Sequence, residues 1–278
     1  MHPIASLASF CCLFAALSLG LFPRARRASL AFGALIIPLA LSAGLLTNVA
    51  LASLLPALLL LRLRLATAPC PDWARHLGLG LLALWALAAA LHWLPGFTPY
   101  LWTQDFGRDS SHVLQWQLDK GLAALLLLWV LPAPPKASPS PARWLALLPG
   151  CALLLVLALL SGQARIDPHW LPGGLIWLAG NLFLSVFAEE VFFRGLLQRG
   201  LQRLLAPRPQ AFAIAVGLSA LLFGLVHLPW GLPFAAMATL AGIFYGLMAA
   251  RENALPRAIC AHFALNALTL TLLHSPLA

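Results

Sequence analysis

Charge is what this chain has least of. Asp, Glu, Lys and Arg make up 9% of its 278 residues, against about 25% in an ordinary soluble domain. So few charges cannot cover a water-facing surface, which excludes a soluble globular enzyme. Disorder is excluded as well: it needs low hydrophobicity and high charge, and here 62% of the residues are apolar. Acidic residues are the scarcest, eight in all. Asp72, Asp105, Asp109, Asp119 and Asp167 are each expected in a loop. Of the three Glu, Glu189 and Glu190 stand side by side in an apolar stretch.

Paired cysteine is lacking too. Cys11, Cys12, Cys70, Cys151 and Cys260 form no C-x-x-C pair and are odd in number, so no disulfide framework is expected. They read as small apolar core residues. Three catalytic signatures are also missing. Without H-E-x-x-H there is no zinc site of the site-two type. Without G-x-S-G there is no rhomboid-like serine site, and without Asp in an expected span there is no presenilin-like aspartyl pair.

What is present in abundance is long apolar sequence. A spanning helix needs about 20 mostly apolar residues. Candidates lie near 4–22, 28–46, 49–61, 77–94, 120–131, 144–160, 174–198, 211–228, 233–250 and 256–273. The expected fold is therefore all-α, a polytopic transmembrane bundle of about 8–10 spans in the lipid bilayer. The run from Ala28 to Leu61 is too long for one crossing, and Thr47-Asn48 is the expected turn. The first segment differs from a signal peptide, because its basic cluster Arg24, Arg26 and Arg27 follows the apolar run instead of preceding it.

The net charge of +9 does not point to nucleic acid, because the basic residues are scattered between apolar runs and orient the spans. With the N-terminus outside, the inner loops collect Arg24, Arg26, Arg27, Arg62, Arg64, Arg75, Lys136, Arg143, Arg199, Arg203, Arg208, Arg251 and Arg257. The outer loops collect only Arg108, Lys120 and Arg165. Between Pro132 and Arg143 the sequence is rich in proline, which favours extended chain. This divides the chain into an N-terminal accessory bundle (1–131), a linker (132–143) and a C-terminal core (144–278).

Glu189, Glu190 and Arg194 fall inside one apolar run. Each charge at a helix centre costs about 2.5–3.5 kcal/mol, and three cost roughly 8–10 kcal/mol. Such a helix should face the bundle interior or a wet cavity, where an intramembrane ionisable group is functional by default. Glu190 and Arg194 are spaced i, i+4 and can pair, which leaves Glu189 for chemistry. Two later runs carry Phe223 and His227, also i, i+4, and His262 and Asn266, again i, i+4. His2, His76, His92, His112, His169 and His274 fall near termini, loops or span ends and are expected to be solvated or interfacial.

The three motifs Glu189-Glu190-x-x-x-Arg194, Phe223-x-x-x-His227 and His262-x-x-x-Asn266, in that order, resemble the signature of the CAAX-processing and bacteriocin-processing (CPBP, ABI) family of intramembrane glutamic endopeptidases. The resemblance covers about 174–273. It implies that Glu189 is the general base activating water, that His227 helps hold that water, and that His262 and Asn266 stabilise the oxyanion. Glu190, Arg194 and Phe223 would support the site. The implied partner is a membrane-anchored protein or peptide substrate of CAAX, leader or C-terminal sorting type, in a prokaryotic plasma membrane.

No cofactor is expected from the resemblance. A metal stays open, because Glu189, His227 and His262 could supply the carboxylate and two imidazoles of a catalytic zinc. Two rival readings are a non-catalytic scaffold or immunity protein of the same fold, and a proton-coupled transporter. The transporter reading lacks the internal repeats such folds carry. Depth is a difficulty: at 1.5 Å per residue from the basic flanks, Glu189 lies about 15 Å in, His227 about 24 Å and His262 about 8 Å. Gly224, Pro229, Gly231 and Pro233 provide breaks near the second motif.

Overall fold

The computed structural model of the chain describes residues 2–65, 71–102, 114–131, 144–170, 172–249 and 255–274. The Pro-rich linker, Cys70, His112, Asp105 and Asp109 lie outside the described residues. Helices carry the fold: α1 (Pro3–Gly20), α2 (Arg26–Ala43), α3 (Asn48–Leu65), α4 (Asp72–Ala90), α5 (Leu118–Val130), α6 (Leu147–Leu160), α7 (Gly174–Leu204), α8 (Ala211–Val226), α9 (Leu232–Met248) and α10 (Leu255–Leu272). Four short strands form two antiparallel pairs. β1 (Tyr100–Leu101) pairs with β2 (Gln115–Trp116), and β3 (Arg165–Ile166) with β4 (Leu273–His274).

The chain is a helical membrane bundle, as its composition requires. Among the described residues, four helices are long and apolar enough to cross a membrane: α1, α2 with the turn before it, α7 and α10. Five more are apolar but shorter. The 16 residues of α8 reach about 24 Å, short of a hydrocarbon core of about 30 Å. The expected break in the run from 28 to 61 is present. Gly44, at φ 74°, closes α2 in the left-handed conformation and α3 starts at Asn48. The Thr47 amide and hydroxyl both donate to the Gly96 carbonyl, at 3.0 and 3.2 Å.

The helices fall into two compact units. The first holds α1 to α5 and the Ala179–Phe192 stretch of α7. With no water in the bilayer core, its helices are tied by side chains that reach backbone. The Ser29 hydroxyl donates to the Ala16 carbonyl at 2.7 Å and accepts from the Trp129 indole at 2.9 Å, linking α1, α2 and α5. Arg26 donates to the Trp129 carbonyl in the last turn of α5, where the helix dipole favours a cation.

The second unit holds α6, the remainder of α7, and α8 to α10. Here α8 and α9 touch backbone to side chain. A Cβ on Gly224 would fall 1.9 Å from Thr239 Oγ1, and one on Gly242 would fall 3.1 Å from Ala220 Cα. The Arg257 Nε donates to the Met248 carbonyl at 3.2 Å, closing the C-terminal end of α9.

Several charges expected in loops lie in helices. Asp119 sits in the first turn of α5, fully buried, and Asp72 is the first residue of α4. The Asp119 carboxylate suits the positive end of a helix dipole. Lys120 is also in α5, Arg26 opens α2, and Arg257 is buried in α10. Of the described aspartates, only Asp167 lies outside a helix or strand. The cysteines divide: Cys151 is buried, whereas Cys11 and Cys260 lie exposed on helix faces. A small thiol suits an apolar lipid-facing position as well as a core one.

Candidate functional site

All seven residues singled out in the sequence lie on α7, α8 and α10 or at their ends. Glu189, Glu190 and Arg194 are on α7, a continuous helix of 31 residues. Regular α winding was expected throughout it. Instead the short α segment Phe187–Glu190 is flanked by two π-helical stretches, Asn181–Val186 and Val191–Gln198. Wide turns of this kind recur at functional sites, because the i→i+5 pattern re-aims side chains. The i, i+4 spacing of Glu190 and Arg194 therefore does not carry the regular α rotation, because the winding widens from Val191.

Within the first unit, Glu190 is fully buried and Glu189 is partly buried. Glu189, expected to stand without a charged partner, has one: Lys120 Nζ donates to its Oε1 at 2.8 Å. In the same unit, phenylalanine rings of α1 and α7 pack on one another. Phe183 stacks on Phe14 with ring centroids 4.3 Å apart, and Phe187 stacks on Phe183 at 5.5 Å.

A second pair lies beside the first on α5. His92 Nδ1 is 2.8 Å from Asp119 Oδ2, with Gln117 Nε2 at 3.2 Å from the same oxygen. His92 was expected to be solvated or interfacial, and its side chain is half exposed. A single imidazole meets a single carboxylate here, so the arrangement differs from an aspartyl pair.

Within the second unit, Phe223 is the hub. Its ring centroid is 4.6 Å from that of His227, 5.7 Å from that of His262 and 6.1 Å from that of Tyr245. The guanidinium carbon of Arg194 lies 4.9 Å from the Phe223 centroid and 5.6 Å from that of Tyr245, a cation–π arrangement in a desolvated position. Arg194 Nη2 also donates to the Gly242 carbonyl at 3.1 Å, and one turn on Gln198 Nε2 donates to Gly246 at 3.1 Å. Glycine at 242 and 246 lets α9 come this close: a Cβ on Gly246 would meet Gln198 Oε1 at 2.9 Å.

His227 does not lie inside a span. It is the residue that ends α8, at φ −93° and ψ 0°, followed by the 3-10 turn Leu228–Trp230. Gly231, at φ 100°, then makes a bend that side chains rarely permit. The breaks expected at Pro229, Gly231 and Pro233 fall here, whereas Gly224 is helical and serves close packing. His227 Nδ1 is 2.7 Å from the Phe223 carbonyl. A carbonyl only accepts, so Nδ1 carries a proton, and in the neutral imidazole Nε2 then presents a lone pair.

His262 is buried in the second turn of α10, and Asn266, one turn later, is partly buried. Three residues of the two units went unread in the sequence. Lys120 looked like a loop cation. Gln198 sits one turn after Arg194, a spacing visible in the sequence. Tyr245, one of only two tyrosines, sits inside the Gly242-x-x-x-Gly246 pattern, which is a signal for close helix packing. Among the described residues, no group of three or more His, Cys, Asp and Glu side chains is placed to hold a metal ion.

Comparison with known proteins places these motifs. Residues 170–268 match the family model described as Rce1-like, type II CAAX prenyl endopeptidase. No curated protein and no solved structure matches the chain. Over residues 170–268 the chain is thus similar to the Rce1-like members of the CPBP family. The family is one of integral-membrane proteases that act on membrane-anchored substrates.

Proposed function

We propose that the chain is a glutamic intramembrane endopeptidase, hydrolysing a peptide bond in a membrane-anchored substrate of CAAX, leader or sorting-signal type. The observation that carries this reading is the meeting of His227 and His262, from separate helices, on one buried phenylalanine inside the protease-family segment.

In this reading Glu189 takes a proton from water as general base. The His227 Nε2 lone pair accepts the other hydrogen of that water, with the tautomer fixed by the Phe223 carbonyl. The oxygen adds to the scissile carbonyl carbon. His262 and the Asn266 amide donate to the oxyanion that forms. When the C–N bond breaks, Glu189 returns the proton to the leaving amine. The sum is water added across an amide, with the carboxylate regenerated. Glu190 and Arg194 brace the helix that carries the base. No resident cofactor enters the scheme.

The test is to compare membranes of a prokaryotic host carrying wild type with those carrying Glu189→Gln, and to identify cleaved membrane proteins by mass spectrometry of new termini. Products found only with wild type support the reading. Identical products in both remove Glu189 as the base, and no products in either favour a non-catalytic membrane scaffold.

A further inference from the structure

We propose that Lys120 is a positioning residue for Glu189, which makes the first turn of α5 part of the hydrolytic machinery. The inference rests on the reading of Glu189 as the base and extends it to a segment outside the 170–268 match.

The contact is short and sheltered. Lys120 Nζ lies 2.8 Å from Glu189 Oε1, and the two side chains are 16% and 18% exposed. An ion pair so placed is little screened by salt, and the long lysine stem packs along apolar surface while its head reaches the carboxylate. Gripped at Oε1, the carboxylate has its plane and reach set. Lys120 transfers no proton; it fixes the group that does.

Lys120 is itself firmly placed. Its own amide donates to Asp119 Oδ1 at 2.7 Å, and the buried Asp119 is held through Oδ2 by His92 and Gln117. His92 adopts φ 55°, a left-handed backbone uncommon outside glycine, at the position where its ring meets Asp119. On the other side, a Cβ on Gly121 would lie 2.6 Å from Leu13 Cδ2 and 3.1 Å from Leu184 Cδ2. The absence of a side chain there seats α5 against α1 and against the stretch of α7 that carries Glu189. A surface lysine paired by chance has none of this support.

The experiment uses the full-length protein in lipid nanodiscs, a farnesylated peptide ending in a CAAX box as probe, and the variants Lys120→Met, Lys120→Arg, Glu189→Gln and Lys120→Met/Glu189→Gln. Loss of positioning is expected to lower kcat about 10- to 100-fold in Lys120→Met with KM within about threefold. Lys120→Arg should recover most of the rate. Thermal unfolding of the single and double variants should be non-additive, because the two charges depend on each other.

Wild-type kcat in Lys120→Met, a change confined to KM, or additive unfolding shifts would each overturn the proposal. An active Glu189→Gln would instead remove the base assignment while the unfolding cycle still reads the pair. If wild type leaves the peptide intact, the unfolding cycle decides alone. If Lys120→Met does not fold, folding of the double variant supports the coupling, and failure of both reduces Lys120 to a structural lysine.

Discussion

The ring of Tyr245 lies flat on the imidazole of His262, with centroids 4.4 Å apart and planes 14° from parallel. Phe223 meets the same imidazole edge-on at 86°. Two aromatic contacts at right angles leave His262 little freedom to turn about its side-chain bonds. For the oxyanion-donor role proposed for His262, that restriction would be preorganisation.

Replacing Tyr245 by Leu removes the stacking face. It should cost about 0.5–1.5 kcal/mol of stability beyond the lost buried area, and should lower kcat more than it raises KM. Tyr245→Phe keeps the face and should melt closer to wild type than Tyr245→Leu. Both are read by melting in detergent together with steady-state cleavage.

Gly224 permits the contact between α8 and α9 one turn before His227. A side chain there would meet Thr239 Oγ1 at 1.9 Å and the Ala235 carbonyl at 2.7 Å. The carbonyl belongs to the backbone and cannot step aside. Gly224→Val should therefore destabilise the protein by about 1–3 kcal/mol or more, seen as a lower Tm and reduced yield from the membrane.

Gly231 turns the chain from the His227 turn into α9. At φ 100° and ψ 156° the backbone is in a region that is essentially glycine's alone, and a residue held there costs about 1–3 kcal/mol. Gly231→Val should lower Tm by a corresponding amount. Leu232→Ala, an exposed neighbour within regular helix, should leave it nearly unchanged.

Asp119→Ala should destabilise the first unit. The carboxylate accepts from His92, Gln117 and the Lys120 amide, and removing an acceptor strands its donors at about 1–3 kcal/mol. Hydrogen exchange should show the first turn of α5 opening faster, while amides in α8 and α9 keep their protection.

Much of this was legible in the sequence. The scarcity of charge gave the membrane class, the 28–61 run announced its own turn at Thr47-Asn48, and two of the three motifs picked out Phe223, His227 and His262, whose rings meet in the fold. Spacing along a helix brought Phe223 and His227 onto one face because neighbours three and four apart must meet. What was not legible depends on contacts distant in sequence. Lys120 and Glu189 are separated by 69 positions, and no periodicity reports such a pair. Asp119 read as a loop residue because it stands at the edge of an apolar run, which is also where a helix begins. Tyr245 is 17 positions from His262, and no spacing along one helix reports their stacking. The π turns of α7 escaped because hydropathy patterns assume a constant rotation per residue.

Those wide turns leave the carboxylate pair in a particular mechanical position. Each π stretch holds slack in the winding of α7, on either side of Phe187–Glu190. Deleting one residue from either stretch would let it tighten to α geometry without breaking the helix. Because a wide turn takes about one residue more than an α turn, the helix beyond such a deletion would keep nearly its facing, while the residues within the turn change theirs. The two stretches are thus places where α7 can lose a residue without turning its ends, so its span and its anchoring loops stay where they are.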